Sequence, residues 1–332
     1  MNKKMILSKS ILFIMIVAFI GLFKIIFGEE NTLIGVTVIT LALMIIEKKP
    51  SEKFVVSFSK ILFMNVFLGL CSFLSYKSLI LGLILNTTVM FIVAYVCSYN
   101  LNEGLYIPFG LQYMFMLNTP VDDKKFIIRL AALIFGALFS VTLQYIINRK
   151  NDVSINKFKL ENEVFKYKKN FTKKSLMFSY GVRMALVMGI STFIMEKIDL
   201  PEVRWIMYTV FSLTKPYKDN CNERISKRIE GTLIGSIIFI VLFTIIESSV
   251  LRSLILMVVG YANTYITEYK KMIICVTISA LGTVAIGQQL FFITLERIIF
   301  IIIGAIISKV INNYVLPFST ITDEKCNLEL KC

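Results

Sequence analysis

The sequence predicts an all-α integral membrane protein of about twelve transmembrane helices, arranged as two tandem six-helix repeats. Three observations carry that expectation. The 332 residues are 56% hydrophobic and only 17% charged, whereas soluble domains run at about 45–50% and about 25%. The apolar residues fall in runs separated by short polar breaks, and a helix needs roughly 20 apolar residues to cross about 30 Å of hydrocarbon. A helix satisfies its own backbone there, which an open strand cannot do. Finally, segments a fixed distance apart repeat one another.

The expected spans are 6–27, 31–47, 56–76, 78–97, 103–118 and 125–147, then 176–196, 203–215, 229–247, 249–266, 271–287 and 290–315. The first half is therefore 1–147 and the second 176–316, joined by a basic linker, 148–175, and followed by a polar tail, 317–332. The N-terminus begins MNKK and continues into an apolar run without a small-x-small cleavage site, so it reads as an uncleaved first span. The linker is too short for a domain. It reads either as a solvated connector or as an amphipathic helix on anionic lipid. Four spans are short: 31–47, 103–118, 203–215 and 271–287. They are the second and fifth of each half, and Pro108, Gly110, Gly282 and Gly287 interrupt or flank them. Short or broken spans in corresponding positions point to a transport site. Tilt and local thinning of the bilayer are the alternative.

The net charge is +14. It lies between the apolar runs, so it is read as topology signal and not as a nucleic-acid surface. Placing both termini, the linker and the KPYKDNCNERISKR loop in the cytoplasm puts most Lys and Arg inside. The expected location is the plasma membrane, multi-pass, with membrane lipids as neighbours. A homo-oligomer is compatible with the sequence.

The repeat is legible in RLAALIFGALFS from Arg129 and RIIFIIIGAIIS from Arg297. Arginine, Gly136/Gly304, Ala137/Ala305 and Ser140/Ser308 coincide at one offset (297 − 129 = 168), which also carries Lys60 onto Arg228. Pro50 and Pro216 agree within two residues of it. Six spans per half make the repeats parallel.

Several chemistries have no residues to support them. There is no histidine, which removes the commonest general base and metal ligand. The six cysteines, Cys71, Cys97, Cys221, Cys275, Cys326 and Cys332, contain no C-x-x-C pair. No P-loop motif occurs. No catalytic residue, metal or cofactor is expected, and the chain is not read as an enzyme.

Charge inside the apolar runs is costly, roughly 2.5–3.5 kcal/mol at a helix centre. Arg129, Arg183 and Arg297 each lie inside such a run. They face a cavity or partner, or else snorkel or form structural pairs. A guanidinium fork matches a carboxylate.

The second half contains GVRMALVMGI, then EVRWIMYTVFSLTKPYKDNCNERISKRIEGTLIGS. The order Arg183, Trp205-Ile206, Thr209-Val210, Pro216, a basic loop, and Arg228-x-x-Gly231-Thr232-x-x-Gly235 resembles the fusaric-acid-resistance-like family of aromatic acid exporters. Longer members of that family carry a large cytoplasmic domain where this chain has its short linker. The first half shows KILFMNVFLG where the arginine-glycine element would stand.

The resemblance implies a secondary exporter of organic, aromatic carboxylic acids. Small organic anions are then the partners, and Arg183, Trp205, Thr209, Arg228, Thr232, Arg129 and Arg297 the substrate-binding candidates. Gly231 and Gly235, four apart on one helix face, permit close helix approach. With Pro216, Gly136 and Gly304 they form the expected structural motif. Arg228 reads either as a positive-inside anchor or as a substrate contact. Glu230 and Glu296 are the candidates for proton coupling, and membrane potential is expected to contribute more than the pH gradient. A passive organic-anion channel is the alternative. A structural membrane subunit of a larger complex is an alternative of another class.

Overall fold

The computed structural model describes residues 3–47, 53–97, 104–148, 175–198, 200–284 and 290–319. Expectations for the linker residues 149–174, for the tail from 320 with Cys326 and Cys332, and for Pro50 and Gly287 fall outside these. Twelve α-helices follow one another among the described residues. The first six are α1 (Lys3–Phe27), α2 (Thr32–Ile46), α3 (Phe54–Ser75), α4 (Leu79–Cys97), α5 (Tyr106–Asn118) and α6 (Asp123–Ile147). The next six are α7 (Leu176–Lys197), α8 (Arg204–Leu213), α9 (Lys218–Ile245), α10 (Ser249–Asn263), α11 (Tyr269–Val284) and α12 (Leu290–Tyr314). Two 3₁₀ turns, η1 (Glu29–Asn31) and η2 (Pro201–Val203), lead into α2 and α8.

The chain is an all-α membrane protein. Eight helical stretches are long and apolar enough to cross a bilayer: α1, η1 with α2, α3, α4, α6, α7, α9 and α12. By length and composition the described residues thus supply eight spans where the sequence suggests about twelve. The other four helices, α5, α8, α10 and α11, have 13, 10, 15 and 16 residues. α10 stops short of its expected end because the chain tightens. The amides of Tyr265 and Ile266 bond the carbonyls of Ala262 and Asn263, only three residues back.

Residues 15–193 form one compact unit, and residues 1–14 with 194–332 form another. In the 15–193 unit α2 packs on α5 and α6, α3 packs on α4, α5 and α6, and α4 packs on α5. Missing side chains make room for these contacts. A Cβ on Gly69 would lie 2.6 Å from the Leu133 side chain, and one on Gly136 would strike Val38. α7 lies against α4 by the same device, with Gly181 facing Phe91 and Gly189 facing Thr87. A buried amide chain ties the helices together. Asn65 Nδ2 donates to Leu133 O at 3.0 Å, and Gln112 Nε2 donates to Asn65 Oδ1 at 3.3 Å. Tyr113 donates its hydroxyl to Asn86 Oδ1 at 2.6 Å. Asn65→Leu removes both bonds and leaves the buried Gln112 amide without its Asn65 acceptor, at about 1–3 kcal/mol for the unsatisfied group. It is expected to lower the melting temperature of the purified chain by about 5 °C or more. An unchanged melt would show that the Asn65 bonds contribute nothing.

In the other unit α9 packs on α11 and α12, α8 packs on α9 and α12, and α10 packs on α11. Phe239 and Phe243 of α9, Ile278 and Leu281 of α11 and Ile293 of α12 form a buried cluster. The carbonyls at the end of α9 have no partners within their own helix. Arg252 of α10 supplies them, from Nη2 to Phe243 O at 2.7 Å and from Nε to Ile246 O at 2.6 Å. The first turns of α1 belong here too. Lys9 Nζ donates to Thr264 O at 2.8 Å, and Ser10 shares a hydrogen bond of 2.7 Å with Tyr261.

Candidate anion site

α8 is ten residues long, and its polar face is ordered by helical spacing. Trp205, Thr209 and Ser212 stand at i, i+4 and i+7, so they line one side. The distance from first to last is about 10 Å at 1.5 Å per residue. Two arginines from neighbouring helices meet this face.

The first is Arg297 of α12, only 1% exposed. Its guanidinium carbon sits 3.6 Å from the centre of the Trp205 ring, a cation–π contact that strengthens when water is excluded. Its Nε and Nη1 are buried and have no hydrogen-bond partner among the described residues. Glu202 in η2 attracts it, while Arg228 and Arg204 repel it. Glu202 is itself engaged elsewhere. It accepts the indole N–H of Trp205 and lies 3.4 Å from Arg204 Nη2.

The second is Arg228 of α9, also buried. Its Nη1 donates to Ser212 Oγ at 3.2 Å and its Nη2 to Thr209 Oγ1 at 3.4 Å, while its Nε has no partner among the described residues. Ser212 continues to the Tyr269 hydroxyl at 2.9 Å. Arg224 stacks over the Tyr269 ring at 3.9 Å. Buried cations normally have acceptors for every N–H. Here two guanidinium groups are held by hydroxyls and a ring, which position them without neutralising them. Such a site is suited to an incoming anion.

Glycines bring α12 close to α8, and α9 close to α11. A Cβ on Gly304 of α12 would lie 2.9 Å from Thr209 Cβ and 3.1 Å from Ile206 O. On Gly231 and Gly235 it would lie 2.8 Å from Lys270 O and 2.9 Å from Ile274 O, both backbone atoms of α11. Thr232 spends its hydroxyl on the Arg228 carbonyl at 2.8 Å, within its own helix. Pro216 follows the end of α8 and is buried.

The model of the family described as fusaric acid resistance protein-like matches residues 189–311. The match covers 123 of the 332 residues, and over that region the chain is similar to the fusaric acid resistance protein-like family. The family region runs from the last turns of α7 to the last turn of α12 and contains Trp205, Thr209, Arg228, Thr232 and Arg297. Comparison with curated proteins gives no match, and neither does comparison with solved structures.

The remaining candidates lie outside the family region or away from the α8 face. Arg129 of α6 and Arg183 of α7 belong to the 15–193 unit, each with its own surroundings. Arg129 donates from Nε to Asn31 Oδ1 at 3.0 Å, and from Nη2 to Glu30 O at 3.1 Å and Thr119 Oγ1 at 3.2 Å. Arg183 is fully buried, with Nε 3.4 Å from the Ser179 carbonyl it donates to. Gly136 serves α2–α6 packing through Val38. Glu230 bridges to Lys270 at 2.5 Å on the exposed side of α9. Glu296 is half-buried beside Arg297 in sequence, but consecutive helical residues do not face each other. Sequence reading passed over Glu202, Ser212, Tyr269 and Arg224. Glu202 and Ser212 had a signal, since each falls one helical turn from a residue already singled out, Trp205 and Thr209 respectively.

Proposed function

We propose that this membrane protein moves small organic anions, in the first place aromatic carboxylates, out of the cell by a gradient-driven secondary mechanism. The observation that carries the reading is the α8 face. There a buried guanidinium with open N–H groups lies on an indole, and a second arginine stands one to two turns further along. A carboxylate would neutralise either cation, and the charge-assisted hydrogen bonds formed are roughly twice as strong as neutral ones. The Trp205 surface offers apolar area to an aromatic ring.

The same proposal places the chain in the plasma membrane with both termini cytoplasmic, on the strength of its lysine and arginine asymmetry. It also reads the twelve helices as two tandem repeats of six. Repeated packing supports this. The pairs α2–α6, α3–α6, α3–α5 and α4–α5 have counterparts in α8–α12, α9–α12, α9–α11 and α10–α11. The short helices α5, α8, α10 and α11 need not each cross the full hydrocarbon if their backbone is buried in protein.

Export of an anion from a cell that is negative inside is electrically favourable by about 2.3 kcal/mol per charge at 100 mV. Glu230 is bridged to Lys270, so a proton carrier is not needed to energise export. The test uses proteoliposomes with a potassium-diffusion potential at equal pH. Labelled benzoate is expected to move according to the sign of the potential. Movement driven only by a pH gradient, and abolished by Glu230→Gln, would replace this account with proton antiport. Strict equilibration at zero potential, with ion currents like those of a pore, would favour the channel reading.

A further inference from the structure

Arg129 and Arg297 stand at the same offset of 168 residues, and the contacts around them repeat as well. Gly136 meets Val38, and Gly304 meets Ile206, both pairs keeping the offset. Gln144 Nε2 donates to Ile45 O at the end of α2, and Asn312 Nδ2 to Thr214 Oγ1 at the end of α8. Each arginine approaches the 3₁₀ turn that precedes the helix it faces, η1 for Arg129 and η2 for Arg297. The two positions are therefore structural duplicates, yet their hydrogen bonding differs.

At Arg129 the turn supplies acceptors. Asn31 Oδ1 takes Nε, while Glu30 O and Thr119 Oγ1 take Nη2. At Arg297 the acceptor of the turn is diverted. Glu202 faces the Trp205 indole N–H and Arg204, and Arg297 Nε and Nη1 lie over the indole face without a hydrogen-bond partner among the described residues. Both arginines are buried to a similar degree, 2% and 1% exposed, so exposure does not account for the difference.

We infer that the duplicated arginines have divided their roles: Arg297 is the carboxylate-binding residue, and Arg129 is a latch that fixes η1 and α5 to α6. This rests on the organic-anion reading given above and deepens it. Anion binding then resides in the family region alone, and the matching position of the first half is closed by its own turn.

Trp205 is the single tryptophan of the chain, and it touches Arg297, so its emission reports occupancy of the site without any transport. The experiment titrates benzoate, with benzamide as the uncharged control, into the purified full-length chain in detergent. The parent is expected to show a saturable change with benzoate and none with benzamide. Arg129→Gln should keep the benzoate affinity within about twofold, yet lower the melting temperature by about 5 °C or more, because several buried bonds are lost. Arg297→Gln should weaken benzoate about tenfold or more, since hydrogen bonds to charged groups carry that much. Arg297→Lys keeps the buried charge and hence the fold, and should also weaken benzoate, because a point charge lacks the planar fork. If the parent shows no saturable change, the carboxylate reading and this inference fall together. If the parent binds but Arg129→Gln loses affinity as Arg297→Gln does, or Arg297→Lys binds like the parent, the division of roles is wrong and the transport reading stands.

Discussion

Arg228→Ala is expected to reduce carboxylate transport about a hundredfold while the protein still inserts and reaches parental abundance. Arg228 is buried, and its partners are the hydroxyls of Ser212 and Thr209, with Nε open. A buried cation held only by neutral groups is poorly compensated. Its removal therefore should not destabilise the fold strongly, because no buried carboxylate is left behind. For an anion the consequence is large. Losing a desolvated charge that accepts a carboxylate costs several charge-assisted bonds, each about 1.5–3 kcal/mol. Arg228→Lys should recover only about a tenth of the activity, since a lysine ammonium cannot span Thr209 and Ser212 together. The measurement is labelled-benzoate flux in vesicles at equal protein content. Parental flux in the alanine variant would make Arg228 a topological anchor and no more.

The second large effect is structural. Gly235→Leu should separate α9 from α11 and leave the chain aggregated or rapidly degraded. A Cβ at Gly235 would lie 2.9 Å from the Ile274 carbonyl oxygen, 2.9 Å from Thr277 Cβ and 3.2 Å from Ile274 Cα. Two of these three are backbone, which cannot swing aside as a flexible side chain can. Overpacking a tight interface typically costs about 1–3 kcal/mol and more when the backbone must move. Here the whole α9–α11 contact has to open, and with it the placement of Arg228 and Tyr269. The control is Gly21→Leu in α1, where nothing lies within 4 Å of the added carbon. Gel filtration in detergent should show the parental peak for the control and its loss for Gly235→Leu. A parental peak and melt for Gly235→Leu would mean that the α9–α11 packing is not as close as described.

Much of the scaffold was readable in one dimension. The boundaries of α3, α4, α6 and α7 fall within two residues of their apolar runs. The reason is that insertion depends on summed transfer free energy along a segment, which needs no knowledge of neighbours. α10 is shorter than its apolar run because that run continues into a turn, and hydropathy does not register tightening from four-residue to three-residue bonding. The buried amides Asn65, Asn86 and Gln112 carried a signal as polar residues inside apolar runs. Their pairing with one another or with Leu133 and Tyr113 did not, since that depends on which faces meet.

The sequence by itself determined that this is a helical membrane protein with its positive charge between the spans. It marked Arg129, Arg183, Arg228 and Arg297 as charges that need an account, and the glycines of R-x-x-G-T-x-x-G as a packing face. Only the tertiary structure decided what each arginine touches. Arg129 and Arg297 stand at matching positions of two similar segments, yet one donates to Asn31, Glu30 and Thr119 while the other rests on Trp205, its Nε and Nη1 without a partner among the described residues. Composition and periodicity are properties of a single segment. A hydrogen-bond partner is a property of two segments brought within about 3 Å of each other, and that distance is set by the helix that arrives from elsewhere in the chain.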